Sequence, residues 1–231
     1  MECPFGVKPR WARRKDARPQ ELLAAALDIF VERGFAMTRL EDVARRAGVS
    51  KGTLYLYFTN KEELFKAVVR ENIVPTLGQA EDMAANHQGS ASELLRCIVL
   101  GWWERVGNTK LSGITKLMLS ESGNFPELAR FYQEEVIMRS DAIVRKLLQR
   151  GVDSGEFRAE LHTGNSSLTK VMVSPILMLM LWQHSFGMNA GLQIDPQTYL
   201  EEYLDLCLHG LCRQPVTADA SGAVCCAKDS L

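Results

Sequence analysis

The chain has 231 residues, 46% of them hydrophobic, and a formal net charge of −1. That size suits one large or two small globular domains, no run of about 18 apolar residues marks a membrane span, and the basic N-terminus lacks the apolar stretch of a secretory signal. Charge is unevenly distributed: residues 1–75 hold 14 Lys and Arg against 10 Asp and Glu, and the remainder 13 against 18, a basic first third followed by an acidic body.

In chain order, Lys8, Arg10, Arg13, Arg14, Lys15 and Arg18 form a basic arm, with residues 1–17 as a flexible segment. Such an arm either tracks a nucleic-acid backbone or is a solubilising tail. Leu22, Leu23, Ala26, Leu27, Ile29 and Phe30 give a helix with a strong apolar face, ending at Arg33-Gly34-Phe35. Thr38 and Glu41 have capping-box spacing, predicting a helix from about Arg39. Leu40, Val43, Ala44 and Ala47 form its apolar stripe. Gly48 ends it, because glycine enters the left-handed region without a Cβ penalty. Ser50 is positioned to cap the next helix, which buries Leu54 and Phe58. Asn60 offers a further N-cap before Leu64, Phe65, Val68 and Val69.

Two short helices about a glycine turn can place the second in a DNA major groove; the bland alternative is a solvated helical hairpin. Lys51 would meet guanine or phosphate, and Thr53 a thymine methyl or a hydrogen-bond partner. Gly52 lets the backbone come close to DNA. Tyr55, Tyr57 and Lys61 would hold phosphates, which sets register rather than sequence. Thr38, Arg39, Arg46 and Ser50 complete the expected DNA-binding set.

The stretch closely resembles the DNA-binding domain of the TetR family of bacterial transcriptional regulators. The carrying residues are Ala24 to Phe30, Arg33-Gly34-Phe35, Thr38, Val43-Ala44, Ala47 to Phe58 and Lys61 to Leu64. Ala36-Met37 departs from the small polar residues the family often has there, which would remove a phosphate contact at Met37. The resemblance covers about the first third of the chain, with a looser likeness at Leu119–Arg130. It implies an all-α fold of about nine helices: a three-helix helix-turn-helix domain at 18–64, then a larger ligand-binding and dimerisation domain at 65–212.

The body reads as helices throughout. Pro75 should bend or end the fourth helix. Ala91–Val106 is apolar-periodic and Gly107-Asn108 breaks it; Leu111–Glu121 is a short helix. Pro126, in a first turn, opens a long helix running to about Gly155. A last pair spans about Asn165–His184 and Pro196–Leu211, and the small, polar residues 213–231 read as disordered. Val171–Trp182 is apolar nearly all round, which requires burial on every side. Pairing with a second copy is favoured over burial in the monomer, through Val171, Ile176, Leu179, Trp182, Tyr199, Tyr203, Leu204 and Leu208. The family's dimerisation through its last two long helices agrees.

The resemblance also implies a small effector held inside the body. Candidate contacts are Trp102, Trp103, Met118, Glu121, Phe125, Tyr132, Met178 and Trp182, the soft or aromatic surface of adaptable pockets with one carboxylate. Adjacent Trp102 and Trp103 point about 100° apart and so face different surroundings. The six cysteines show no CxxC pair and no zinc spacing, and no catalytic set, P-loop or cofactor motif is present. The expectation is a cytoplasmic, non-enzymatic, cofactor-free homodimeric repressor released from a palindromic operator by a small molecule. The alternative is an effector-independent DNA-organising or scaffold protein with the same head.

Overall fold

The computed structural model describes residues 17–161, 163–164, 166–186 and 194–213. The basic arm before Ala17, His162 and the tail with Cys225 and Cys226 lie outside them. Among the described residues every regular element is helical, apart from one isolated antiparallel bridge between Phe157 and Cys212. They form two compact units that divide between Val68 and Val69.

The first unit contains α1 (Ala17–Met37), α2 (Leu40–Arg46), α3 (Lys51–Tyr55) and the first two turns of α4 (Lys61–Asn72). Helix α1 is broken at Gly34, whose φ of 79° is left-handed. Phe35 thereby folds back onto the apolar face of α1, and Phe30, Phe35 and Phe65 form a fully buried trio. Phe30 stacks on Phe35 at 5.7 Å between centroids, and Phe65 meets them edge-on at 5.3 and 5.7 Å, the arrangements that aromatic quadrupoles favour. Val43, Leu54, Leu64 and Val68 complete this core.

The capping box expected at Thr38 does not form. Arg39 precedes α2 without a side-chain cap, while the Thr38 hydroxyl donates to the Gly34 carbonyl at 2.7 Å. The broken end of α1 leaves carbonyls in need of donors, and Thr38 supplies one from a buried position. The other two caps form as expected: Ser50 accepts from the Thr53 amide at 3.1 Å and Asn60 from the Glu63 amide at 2.8 Å.

The second unit begins within α4 and continues with α5 (Val74–Asn86), which has Pro75 in its first turn, and α6 (Ala91–Trp102), capped by a reciprocal Ser90–Glu93 box. It proceeds through α7 (Ser112–Glu121), α8 (Pro126–Tyr132), α9 (Met138–Asp153), α10 (Ser166–Leu181) and α11 (Pro196–Leu211). Three π-helical segments, Trp103–Gly107, Gln133–Ile137 and Trp182–Phe186, extend α6, join α8 to α9 and extend α10. Helix α6 is anchored by the Glu156 carboxylate, which accepts from the amides of Ala91 at 2.6 Å and Ser92 at 2.9 Å. This is a favourable place for an anion on a helix dipole.

Helix α10 packs against α7, α9 and α11 of its own chain. That corrects most of the expected dimer face. Ile176, Leu179, Tyr203, Leu204 and Leu208 are buried in the core of this unit, and Trp182 and Tyr199 are half-buried. The chain's own helices already cover most of the all-round apolar surface. What α10 exposes is a stripe through Val171, Ser174 and Met178.

Candidate functional site

The turn between α2 and α3 is set by Gly48, at φ 67°. Its amide donates to Arg45 and that of Val49 to Ala44, so the terminal carbonyls of α2 are satisfied while the chain reverses. Helix α3 then starts at a capped Ser50, whose hydroxyl also meets that of Thr53 at 2.8 Å. A Cβ added at Gly52 would meet only Ser50 Oγ, 3.8 Å away. Gly52 is therefore not required by packing, and its bareness leaves the outer face of α3 open. Lys51, Gly52, Tyr55 and Tyr57 are exposed on this unit, and Leu56 is the most exposed large apolar residue at 83%.

Two of the basic residues expected at DNA, Lys51 and Arg46, are engaged with carboxylates of the same unit. Lys51 pairs with Glu41 and lies 5.7 Å from the centroid of the Tyr55 ring. The hydrogen bond between them holds the Glu41 carboxyl below its ordinary pKa and raises that of Lys51. Arg46 forms two hydrogen bonds with Glu32, at 2.7 and 3.0 Å, and lies 3.9 Å from Asp28; the pairing likewise lowers Glu32. Arg39 is exposed. Exposed pairs of this kind are weak in water and are readily exchanged for phosphate.

Lys61 and Thr38 are differently placed. Lys61 Nζ donates to the carbonyls of Phe35 at 2.7 Å and Ala36 at 3.2 Å, over the Phe35 ring. With Thr38 it ties down the broken end of α1, a role that the spacing of the sequence did not suggest.

The second unit contains a cavity of about 580 Å³, within the range of about 300–1,000 Å³ that suits small-molecule sites. Its walls come from α5, α6, α7, α8, α9, α10 and α11, and from the junction around Tyr132 to Ile137. Of the expected ligand contacts, Trp102, Met118 and Tyr132 line it. Trp103, as its separation from Trp102 predicts, turns into the core; a Cβ at Gly107 would come within 2.2 Å of its ring. Glu121, Phe125, Met178 and Trp182 lie off the cavity wall. Glu121 and Phe125 close the turn from α7 to α8, with the Phe125 amide on the Glu121 carbonyl at 3.1 Å, and Met178 faces outward at 51% exposure.

Sequence reasoning missed Thr115 and misplaced Tyr203. Thr115 lines the cavity and bonds Tyr132 Oη at 3.0 Å. Tyr203, expected at a dimer face, also lines the cavity and donates to the Met172 carbonyl. A lone threonine within an apolar helix carries no ligand signal until the fold sets it opposite a tyrosine 17 residues away. Among the described residues no group of three or more His, Cys, Asp or Glu could hold a metal ion, and no helix is long and apolar enough to cross a membrane. Cys97, Cys207 and Cys212 are half-buried and form no disulfide with one another, the Cys207 thiol pushed up by burial.

Comparison with known proteins bears on both units. The sequence profile described as "Bacterial regulatory proteins, tetR family" matches residues 22–68. The uncharacterized HTH-type transcriptional regulator YfiR of Bacillus subtilis strain 168 is 33% identical over 150 residues, covering 62% of this chain and 70% of that protein. The fatty acid metabolism regulator protein of the same strain is 28% identical over 150 residues, covering 64% of this chain and 75% of that protein. Among solved structures, FadR from Bacillus subtilis in complex with stearoyl-CoA superimposes with a TM-score of 0.69 at 24% identity, covering 83% of this chain and 98% of that one, a likeness of fold.

Proposed function

The chain belongs to the TetR family of bacterial transcriptional regulators, and on that premise we propose that it is a homodimeric repressor. It acts in the cytoplasm on a palindromic operator and is released when a lipophilic small molecule fills the cavity of its second unit. The observation that carries this reading is that cavity of about 580 Å³, walled mainly by apolar side chains, in a chain that also carries a capped helix-turn-helix. An effector-independent DNA-organising protein has no use for such a cavity.

The outer face of α3 reads the major groove through Lys51, Gly52 and Thr53, while Tyr55, Tyr57 and Arg39 hold phosphates. Lys51 and Arg46 exchange Glu41 and Glu32 for the DNA backbone as they bind. Two-fold symmetry matches two such helices to half-sites about one DNA turn apart. The exposed stripe of Val171, Ser174 and Met178, with Leu206 on α11, supports pairing through these last two helices. The stearoyl-CoA held by the Bacillus FadR and the fatty-acid role of the curated relative support a lipophilic effector.

Coupling runs through the π-helical junction. Gln133, Val136 and Ile137 line the cavity, and Glu135 between them holds Arg70, at the end of α4, at 2.9 Å. Arg70 also lies 5.0 Å from the centroid of the Phe131 ring. An effector that rearranges this junction moves the end of α4, and a ligand favouring one arrangement shifts the population. The test is fluorescence anisotropy with duplex from just upstream of the chain's own coding region, titrated with long-chain acyl-CoA. The reading predicts salt-sensitive binding and release by ligand. Failure to bind that duplex or any selected duplex would overturn it.

A further inference from the structure

The cavity wall holds a polar feature that an apolar container for lipid does not require. Thr115 on α7 and Tyr132 at the end of α8 are 7% and 5% exposed, and their hydroxyls bond each other at 3.0 Å. Both residues line the cavity. Two hydroxyls carry two hydrogens, and their mutual bond uses one of them. No further hydrogen bond of either hydroxyl is formed among the described residues, so the second hydrogen can be donated to an oxygen placed in the cavity, and a ligand that offers one spares the cost of an unmet buried donor.

The pair differs from the other polar groups on the wall in its burial: Thr76, Gln79, Ser122 and Gln133 are half-buried or exposed, and the buried Tyr203 hydroxyl is used on the Met172 carbonyl. Ser140 donates to the Val136 carbonyl at 2.9 Å, Asp141 accepts from Thr169 at 3.0 Å, and Arg105 donates to the Gly101 carbonyl at 3.3 Å. Burial also pushes the Tyr132 hydroxyl up to about 12. The neighbourhood that desolvates the phenol would equally penalise a charged ligand group placed against it.

We infer that the cavity takes a neutral lipophile bearing an acceptor oxygen, a ketone or ester carbonyl, which docks on the Thr115–Tyr132 hydroxyl pair. This rests on the reading of the cavity as the effector site. The pair then sets specificity: an alkane leaves the donor unsatisfied, and a carboxylate must give up its hydration. Tyr132 immediately precedes the π-helical segment that holds Glu135, so the docked oxygen acts on the junction through which release is transmitted.

Isothermal titration of the full chain with 2-tridecanone and with dodecanoic acid, probes of matched chain length, tests the inference. The ketone binds more tightly, and Tyr132→Phe weakens it by about tenfold, the size of one lost hydrogen bond, without weakening the acid. Thr115→Val, which removes the partner hydroxyl by another route, has a similar effect; thermal melts of both variants report folding. Tighter binding of the acid, or ketone binding that both folded variants leave unchanged, overturns the inference while leaving the cavity an effector site. If neither probe binds the wild-type chain and long-chain acyl-CoA also fails, the effector reading itself falls.

Discussion

The two units use polar chemistry in opposite ways. In the first, the cations proposed to meet DNA are exposed and paired with the chain's own carboxylates, Lys51 with Glu41 and Arg46 with Glu32. In the second, the hydroxyls of Thr115 and Tyr132 on the cavity wall are buried and bonded to each other. Exposed pairs cost little to exchange, so the first unit suits a polyanion whose many weak contacts add up and respond to salt. A buried pair discriminates sharply, because any ligand that cannot satisfy it leaves a desolvated donor. On the proposed function, one chain binds DNA through contacts that trade freely and an effector through contacts that do not.

The strongest way to break this comparison is to remove the rigid base of the first unit. Phe30→Ala empties the centre of the buried aromatic trio and should cost about 3–5 kcal/mol. DNA binding and the helicity of the first unit, followed by circular dichroism and urea melts, are lost together. If DNA binding survived in full, the trio would not be what holds α3 in place.

Gly52→Leu asks whether the bare face of α3 touches DNA. The space is open, so folding is unchanged or improved by up to about 1 kcal/mol, while operator affinity falls at least about tenfold. Anisotropy beside a thermal melt separates the two effects. Lys51→Ala should be milder, lowering the slope of log affinity against log salt by about one. An unchanged slope would mean that Lys51 stays with Glu41 in the complex.

The smallest effect sharpens the contrast from the second unit. Glu81 is paired with Arg139 at 2.8 and 2.9 Å, and this hydrogen-bonded pairing holds its carboxyl below the ordinary 4.5. Because the folded value is the lower one, the stabilisation is complete above the ordinary carboxylate range and is lost as pH falls through the lowered value. Both side chains are about one-third exposed, so the gain stays within about 1 kcal/mol. The melting difference between wild type and Glu81→Gln should shrink as pH falls from about 6 to about 3.

The first unit was largely legible in the sequence because its signals are local. A cap at Ser50, a left-handed turn at Gly48 and an apolar stripe each concern residues a few positions apart. What local spacing did not show there is a side chain serving a distant need: Thr38 caps the broken end of α1 instead of α2, and Lys61 joins it there. In the second unit the stop after Gly107, the start at Pro126 and the last helix at Pro196–Leu211 were legible for the same local reason, whereas α5 and the π-helical segment between α8 and α9 were not. The cavity was not, because its specificity depends on Thr115 meeting Tyr132 across two helices. The all-round apolar α10 misled, because apolarity states that a surface must be covered but not by which helices. Here α7, α9 and α11 of the same chain cover most of it, leaving only the stripe through Val171 and Met178.

The central claim is that two copies of α3 read DNA under control of a lipophile in the second unit. Selection of bound duplexes from a random pool, followed by anisotropy on the winner with and without 2-tridecanone and long-chain acyl-CoA, tests it most directly. The account predicts a two-fold symmetric consensus with half-sites about one helical turn apart, bound by the wild type, lost in Gly52→Leu and released by at least one of the two ligands. No enriched sequence, or a bound duplex indifferent both to the Gly52 substitution and to ligand, would contradict it.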